Sequence, residues 1–319
     1  MSQVVAVTGA NGFVGRALSR LLLSQGHRVV GLVRSGHDVA EGIQEKVFVG
    51  DDFGRIEAAW PQRLRCGGVV HLAARVHVVG DASQQSLSVY RSTNVSGTLR
   101  VAKAARRAGA QRFVFVSSIK AVAEKGRGQP IKESDLPEPG DAYGISKLEA
   151  ERALLEYGRE SGLEVVIVRP PLVYGPGVKA NFLSLMRAIA NRVPLPLGAV
   201  GARRSLLFVD NLADALMHCL SHPLAPGQTF HVADGVDLTV AELARALADE
   251  LQVPARLWSV PVPWLRLAGS LTGRSDQVDR LVGELRLDSS HIREVLGWSA
   301  PCTVREGLHK TAAWYRSAH

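Results

Sequence analysis

Tyr143 and Lys147 are the residues of this sequence whose types and spacing most clearly suggest chemistry. Side chains four residues apart lie on one face of a helix. A phenol has an unperturbed pKa near ~10, too high for a base at neutral pH, and a neighbouring ammonium would lower that pKa. Ser118, at the end of an apolar run, could hydrogen-bond the same reacting oxygen. We therefore predict that Ser118, Tyr143 and Lys147 are catalytic and move a proton while a hydride is transferred at carbon.

A Tyr-x-x-x-Lys pair alone is common and is usually a surface pair, so its context matters. Here the chain opens with a short apolar run, 4–7, followed by the glycine-rich sequence 9–15 and a helical pattern. Glycines at such a turn let the backbone approach a pyrophosphate, which then lies at the helix N-terminus. The alternative is a glycine-rich turn without a ligand. We predict a dinucleotide site formed here by Gly9, Asn11, Gly12, Phe13 and Val14.

The end of the second apolar run bears on which dinucleotide is bound. An acidic residue there would hold the ribose hydroxyls of NAD. The sequence instead has Arg34 and Ser35, with Arg16 nearby, and Arg34 could pair with a 2′-phosphate. NADP(H) is therefore favoured and NAD(H) remains an alternative, since Arg34 could also be a solvated loop residue. Asp51 could accept a hydrogen bond from the adenine amino group.

Alternating apolar runs and helical patterns must position these residues. Strands are predicted at 4–7, 28–33, 46–49, 68–72, 112–117 and 163–168, with helices at 14–23, 87–108 and 142–158. This alternation predicts an α/β protein with a Rossmann-type, doubly wound parallel sheet. After residue 170, frequent prolines separate shorter helical patterns at 181–191, 211–220, 240–251 and 289–296. We predict a cofactor-binding domain at 1–175 interleaved with a smaller α/β substrate-binding region at 176–319.

Composition excludes several other classes of function. The net charge is +8, but the cations are scattered and aromatic residues make up 6%, so nucleic-acid binding is not expected. Three separated cysteines indicate a reducing compartment, and we expect a cytoplasmic protein. Histidines such as His71, His77 and His231 lack metal-ligand spacing, so no metal site is predicted. No membrane insertion is predicted, because no apolar run reaches ~18 residues. Residues 258–272 are apolar and could touch a membrane surface, but we expect them to be buried.

Several motifs together resemble the extended short-chain dehydrogenase/reductases, which include UDP-galactose 4-epimerase. They are TGANGFVG, HLAA at 71–74, NVSGT around Asn94, FVSS at 115–118, YGISK, RPPLVYGPG at 169–177 and LGW at 296–298. The resemblance implies a nucleotide-sugar substrate and a homodimer formed by the helices at 87–108 and 142–158. It also implies further cofactor contacts from Leu72, Ala73, Ala74, Asn94 and Pro170, and substrate contacts from Arg75, Lys120, Asn181, Arg204 and Arg280, in addition to Ser118 and Tyr143.

A narrower resemblance concerns SSIKAVAE, DAYGISKLEAE, RPPLVYGPGVKANF and the later PLPLG and RRSL. These are similar to bacterial UDP-4-keto-6-deoxy-N-acetylhexosamine reductases, which serve surface-polysaccharide synthesis. We therefore predict NAD(P)H-dependent reduction of a C4 ketone. The alternatives are a UDP-sugar 4-epimerase with tightly bound NAD and a non-catalytic NADP-sensing protein. A 4,6-dehydratase is not expected, because Ile119 and Lys120 follow Ser118 where that group of enzymes has Asp-Glu.

Overall fold

A computed structural model describes residues 3–34, 39–43, 45–50, 52–60, 66–76, 87–126, 128–273 and 275–319. Its centre is a seven-stranded sheet in the order β10-β6-β5-β4-β1-β2-β3, and every pair of neighbouring strands is parallel. The predicted doubly wound α/β fold is confirmed. The strand order reverses at β1, so the chain leaves β1 and β4 in opposite directions and opens a crevice at their carboxyl ends.

Six of the seven strands come from the first half of the chain. Five of them are rich in Val, Ile or Phe and have buried central residues, as expected for strands covered on both faces, whereas β3 lies at the sheet edge and leaves Phe48 55% exposed. Their bounds are β1 Val4–Thr8, β2 Arg28–Val33, β3 Glu45–Phe48, β4 Gly68–His71, β5 Arg112–Val116 and β6 Glu164–Arg169.

Helices cover both faces of the sheet and enclose two large apolar clusters, one on each face. A long helix changes from α to π geometry and back within one continuous segment, α3, the π-helix Arg91–Gly97 and α4. The helices of this half are α1 Phe13–Ser24, α2 Ile56–Ala59, α3 Leu87–Tyr90, α4 Thr98–Arg107 and α5 Ala142–Ser161, with a 3-10 turn at Ile119–Ala121.

The second half of the chain is interleaved with the first. Strand β10 pairs with β6 and completes the central sheet, while two small sheets, β7 with β9 and β8 with β11, lie outside it. The elements are β7 Leu172–Tyr174, α6 Ala180–Ala190, β8 Arg203–Arg204, β9 Leu206–Phe208, α7 Val209–Ser221, β10 Thr229–His231, β11 Leu238–Thr239, α8 Val240–Glu250, α9 Val262–Leu271, α10 Ser275–Val282, α11 Ser290–Leu296 and α12 Val304–Ala318.

The apolar stretch 258–272 differs from its prediction. We expected burial, but Trp258 is 62% exposed, Trp264 64% and Leu271 79%. The reason is that α9 is a surface helix that buries only one side against the second half of the chain. Within the described residues, no helix combines the length and apolarity needed to span a bilayer.

Candidate active site

The glycine-rich turn lies at the carboxyl end of β1, where the sheet order reverses. Gly9 has a φ of +66°, and a Cβ on it would approach the backbone of Ala73 to 3.4 Å, so the turn directly abuts the loop after β4. A Cβ on Gly15 would come within 2.1 Å of the Gly9 carbonyl oxygen. Only glycine permits this contact, which brings the first turn of α1 against the loop.

The N-terminus of α1 fits an anionic group. Gly12 is the N-cap residue, and no described side chain caps the helix there. Its first backbone N–H groups, at Phe13 and Val14, therefore lack intrahelical acceptors. This geometry and the helix dipole suit a pyrophosphate, so the turn satisfies the physical requirements of a dinucleotide cofactor.

A buried hydrogen-bond chain fixes the loop after β4, and the sequence analysis missed its first member, Thr8. The Thr8 hydroxyl oxygen accepts from the backbone N–H groups of Leu72 and Ala73, at 2.9 and 3.0 Å, and lies 2.9 Å from Nδ1 of His71. Burial lowers the pKa of His71 to about 3, so the ring is neutral. Thr8 thus ties the carboxyl ends of β1 and β4 together at the crevice.

The same chain continues to Asn94 in the π-helix. His71 Nε2 lies 3.0 Å from the Thr98 hydroxyl, which itself donates to the Asn94 carbonyl at 2.6 Å. His71 must therefore donate through Nε2, and Nδ1 must accept from Thr8. The Asn94 side chain accepts from the Arg75 backbone N–H at 2.8 Å and donates to its carbonyl oxygen and to Ser146. Asn94 thus braces the loop containing Leu72 to Arg75, and its predicted contact with a cofactor stays a prediction.

The residues predicted to choose between NAD and NADP are only partly described. Arg34 lies immediately after β2 and is exposed at the carboxyl edge of the sheet. Arg16 lies on α1 and donates to the Asn11 carbonyl oxygen at 3.4 Å. Ser35 and Asp51 lie outside the described residues. The position of Arg34 is the one from which a side chain reaches the adenosine ribose in this fold.

Ser118 and Tyr143 are brought together by close packing of α5 on the 3-10 turn. Asp141 caps α5 and accepts from the Gly144 backbone N–H at 2.7 Å. A Cβ on Gly144 would lie 2.3 Å from the Lys120 carbonyl oxygen, so glycine allows the helix to approach the segment after β5. A hydrogen-bonding interaction with Ser118 lowers the pKa of Tyr143, opposing the larger effect of burial. This interaction places the two hydroxyl groups close to each other.

The expected effect of Lys147 on Tyr143 is wrong for this structure. Burial raises the pKa of Tyr143 to about 12, and Lys147 is not among the described groups that lower it. The Lys147 ammonium instead donates to the Val116 carbonyl oxygen at 2.7 Å and lies 4.1 Å from the centre of the Phe115 ring. Lys147 is 1% exposed, and burial lowers its own pKa to about 7. Its ammonium therefore lies at the end of β5.

A buried ion pair supports the helix that carries Tyr143 and Lys147, and it was not anticipated. Arg169, the last residue of β6, donates to both carboxylate oxygens of Glu151, at 3.0 and 2.5 Å. Their side chains are 8% and 3% exposed. Glu151 follows Lys147 by one helical turn, and it opposes the burial effect that lowers the lysine pKa. The pair attaches the middle of α5 to the sheet.

The Lys120 ammonium forms ion pairs with two carboxylates. Its ammonium pairs with Glu124 at 3.1 Å and with Asp141 at 2.5 Å. The Asp141 pKa is lowered against the effect of burial by its bonds to Lys120 and Gly144. Lys120 therefore joins the segment after Ser118 to the N-terminus of α5. Its predicted role in the sugar site remains a prediction.

Three residues predicted to bind substrate, Asn181, Arg204 and Arg280, belong to the second half of the chain. Arg204 donates to the carbonyl oxygens of Gly283 and Arg280, and burial lowers its pKa. It thus joins β8 to the end of α10, which brings Arg204 and Arg280 together. Asn181 is exposed in the first turn of α6.

Pro170, which was predicted to contact the cofactor, lies beside Ser118. Its carbonyl oxygen accepts a hydrogen bond from the Ile119 backbone N–H at 3.0 Å.

No group of three His, Cys, Asp or Glu side chains within the described ranges could hold a metal ion. The candidate site consists of the Ser118–Tyr143 pair, the buried Lys147 and a helix N-terminus suited to a pyrophosphate. These parts lie along the carboxyl edge of one parallel sheet, where ligands bind in open α/β folds.

Comparisons with known proteins agree with this arrangement. The sequence profile of the NAD dependent epimerase/dehydratase family matches residues 5–233. The chain is 43% identical to a UDP-glucose 4-epimerase of Vibrio cholerae over all of this chain and 97% of that protein. It is 28% identical to a GDP-6-deoxy-D-mannose reductase of Pseudomonas aeruginosa over 97% and 95% of the two chains. The solved structure of MoeE5 with UDP-glucose and NAD is 27% identical, with a TM-score of 0.77 over 98% and 99%. The chain belongs to the NAD dependent epimerase/dehydratase family of extended short-chain dehydrogenase/reductases and is an NAD(P)-dependent enzyme of the epimerase and reductase type.

Proposed function

We propose that this enzyme is a UDP-sugar 4-epimerase. The observation that carries the proposal is the 43% identity to a UDP-glucose 4-epimerase along the entire chain. The sequence motifs alone favoured a 4-ketone reductase, but this relative supports the epimerase alternative better. The pairing of Ser118 with Tyr143 suits either reaction, because both need one proton transferred at the C4 oxygen.

In the proposed mechanism, Tyr143 removes the proton of the C4 hydroxyl and Ser118 hydrogen-bonds the same oxygen. A nicotinamide cofactor held at the N-terminus of α1 would supply hydride acceptance and hydride return at C4. Tyr143 then returns its proton to the C4 oxygen. Because the pKa of Tyr143 is about 12 in this structure, its deprotonation requires a nearby cation. We propose that the Lys147 ammonium turns from the Val116 carbonyl towards the phenol and a ribose hydroxyl when the site is filled.

The proposal is tested by incubating purified enzyme with UDP-glucose or UDP-N-acetylglucosamine and following the anomeric protons by NMR. An epimerase forms the C4 epimer until equilibrium, without a net change in absorbance at the reduced nicotinamide band. Tyr143→Phe removes the proton-transferring oxygen and should abolish the exchange, while the protein still binds the dinucleotide. Absence of epimer with both sugars would refute the proposal.

The second candidate is reduction of a UDP-4-keto-6-deoxy-N-acetylhexosamine with NADPH. It is favoured by Arg34, which occupies the end of β2 in place of an acidic residue. This reaction consumes reduced nicotinamide in a 1:1 ratio with substrate, so the absorbance assay separates it from epimerisation.

We also propose that Arg34 favours NADP(H) over NAD(H). Arg34→Ala should weaken NADPH binding by about tenfold and leave NADH binding nearly unchanged, because only NADPH has a 2′-phosphate.

We further propose a homodimer formed by the helical segment α3 to α4 and by α5. These helices pack side by side on one face of the sheet, where Arg91 and Glu149 form an ion pair at 2.6 Å. A second copy placed on them would form a four-helix contact. Light scattering coupled to size-exclusion chromatography would give the mass of two chains, and a mass of one chain would refute the proposal.

A further inference from the structure

Helix α9 presents a row of large apolar side chains to solvent. Trp264, Leu267 and Leu271 follow at spacings of three and four residues, which places them on one face, and they are 64%, 49% and 79% exposed. The opposite side of the helix packs through Val262 and Leu265 against the second half of the chain. The helix is therefore held in place while its outer face remains apolar.

Neighbouring segments extend this surface. The Trp258 backbone N–H donates to the Leu195 carbonyl oxygen, and the Leu195 backbone N–H donates to the Arg256 carbonyl oxygen, at 2.9 and 2.8 Å. This pairing joins the segment after α6 to the segment before α9. Their exposed apolar side chains are Val193 at 46% and Trp258 at 62%. We call Val193, Trp258, Trp264, Leu267 and Leu271 the α9 face.

The charge around the α9 face is positive. The sequence has no Asp or Glu from 165 to 209 or from 251 to 275, the two stretches that form this surface. Arg192, Arg256 and Arg266 lie in these stretches and are exposed. Asp279 on α10 pairs with Arg266 at 3.4 Å and with Lys125 at 3.2 Å. The whole chain has a net charge of +8, so the rest of the protein does not carry a large negative charge that would offset these arginines.

Tryptophan and leucine on one side of a helix, flanked by arginine, are typical of helices that lie in a membrane interface. Phosphate headgroups attract the arginines, and the apolar side chains enter the boundary between headgroups and acyl chains. A two-fold contact between copies through the α9 face would instead place the arginines of both chains against each other. From this charge complementarity we propose that the α9 face docks the enzyme on a bilayer that contains anionic lipid.

Helix α9 is linked through α10 to the segment that follows Ser118. Helix α10 packs beside α9, and Lys125 of the segment following Ser118 pairs with Asp279 on α10. The Gly126 backbone N–H also donates to the Glu284 carbonyl oxygen just after α10, at 2.6 Å. The docking helix is therefore attached to the segment that begins at Ser118.

The test is co-sedimentation of the full chain with vesicles of phosphatidylcholine alone or of equimolar phosphatidylcholine and phosphatidylglycerol. We expect binding to the anionic vesicles, with a blue shift of tryptophan emission. The double variant Trp264→Ser/Leu271→Ser should lower the partition coefficient by about tenfold or more, because two large apolar side chains no longer enter the interface. Arg256→Gln/Arg266→Gln should weaken binding and reduce its sensitivity to salt.

The matched control is Leu224→Ser, which removes a 59% exposed leucine after α7, at the opposite edge of the sheet. It should bind the anionic vesicles like the unmodified chain, and all variants should keep the unmodified melting temperature. The proposal is overturned by no binding to anionic vesicles, by equal binding to neutral vesicles, or by equal loss in the control. Self-association that the double variant abolishes would identify a second copy as the occupant and would also overturn it.

Discussion

Gly144 is the first-turn residue of α5 that lies against the carbonyl oxygen of Lys120, directly beside Tyr143. A Cβ at this position would lie 2.3 Å from that oxygen. An ordinary carbon–oxygen contact needs about 3.3 Å, so Gly144→Ala must move the helix N-terminus or the 3-10 turn by about 1 Å. Tyr143 and Ser118 lie on these two elements, so the shift separates their hydroxyls. A misplacement of about 1 Å can cost about 10²-fold in turnover, and we expect a loss of that order in kcat/KM.

The matched control is Gly158→Ala in the same helix. Its Cβ would also be tight, 2.9 Å from the Leu163 carbonyl oxygen, but it lies four turns away from Tyr143. It should lower the melting temperature and leave kcat/KM within about twofold of the unmodified enzyme, because it does not move the Ser-Tyr pair. The assay is epimer formation by NMR, or NADPH oxidation if the enzyme is a reductase. Equal activity of Gly144→Ala and the unmodified enzyme would refute the reasoning.

Three further predictions concern the buried polar groups. Because burial lowers the Lys147 pKa to about 7 from 10.5, the folded state loses this proton first and gains stability between pH 7 and 10.5. Urea unfolding at pH 7 and 9 should show about 2 kcal/mol more gain with pH for the unmodified chain than for Lys147→Met. Thr8→Val leaves two backbone N–H groups unpaired and should cost about 3 kcal/mol in urea unfolding, whereas Thr8→Ser should cost little; equal losses would contradict the hydrogen-bond chain. Glu151→Gln should destabilise by about 3–5 kcal/mol by denaturant titration, since Arg169 remains buried, whereas Glu149→Gln in an exposed pair should change stability little.

Much of the fold could be predicted from the sequence because its signals are local. Five of the first six strands are short segments rich in Val, Ile or Phe, the third (Glu45–Phe48) is weaker, and Gly9 to Gly15 mark the first turn by residue type alone. The seventh strand, Thr229–His231, has three residues and forms only by pairing with the distant β6. Such a strand has no periodicity of its own, so no sequence pattern indicates it.

Only part of the candidate site could be predicted from the sequence. Ser118 and Tyr143 could be identified from spacing, since each lies at a fixed place relative to a strand or a helix end. The hydrogen bond from the Lys147 ammonium to the Val116 carbonyl oxygen depends on how α5 packs against the end of β5, which the spacing of residues does not indicate. Thr8 is one threonine at the end of a strand, and nothing in its residue type indicates that it contacts the His71 ring. That contact is visible only in the structure.

The π-helix at Arg91–Gly97 sets the angular phase between α3 and α4. Each α-helical residue turns the chain by about 100°, and the wider π turns accommodate residues that a regular helix would rotate elsewhere. Because the π turn holds one extra residue, deleting one residue here should let the segment close as ordinary α-helix with α3 and α4 still in phase. Deleting a second residue would turn α3 by about 100° relative to α4 and move Tyr90, whose ring centre lies 6.4 Å from that of Tyr143, away from it. The number of residues in this segment is therefore constrained independently of their identities, and a two-residue deletion should be more damaging than a single-residue deletion.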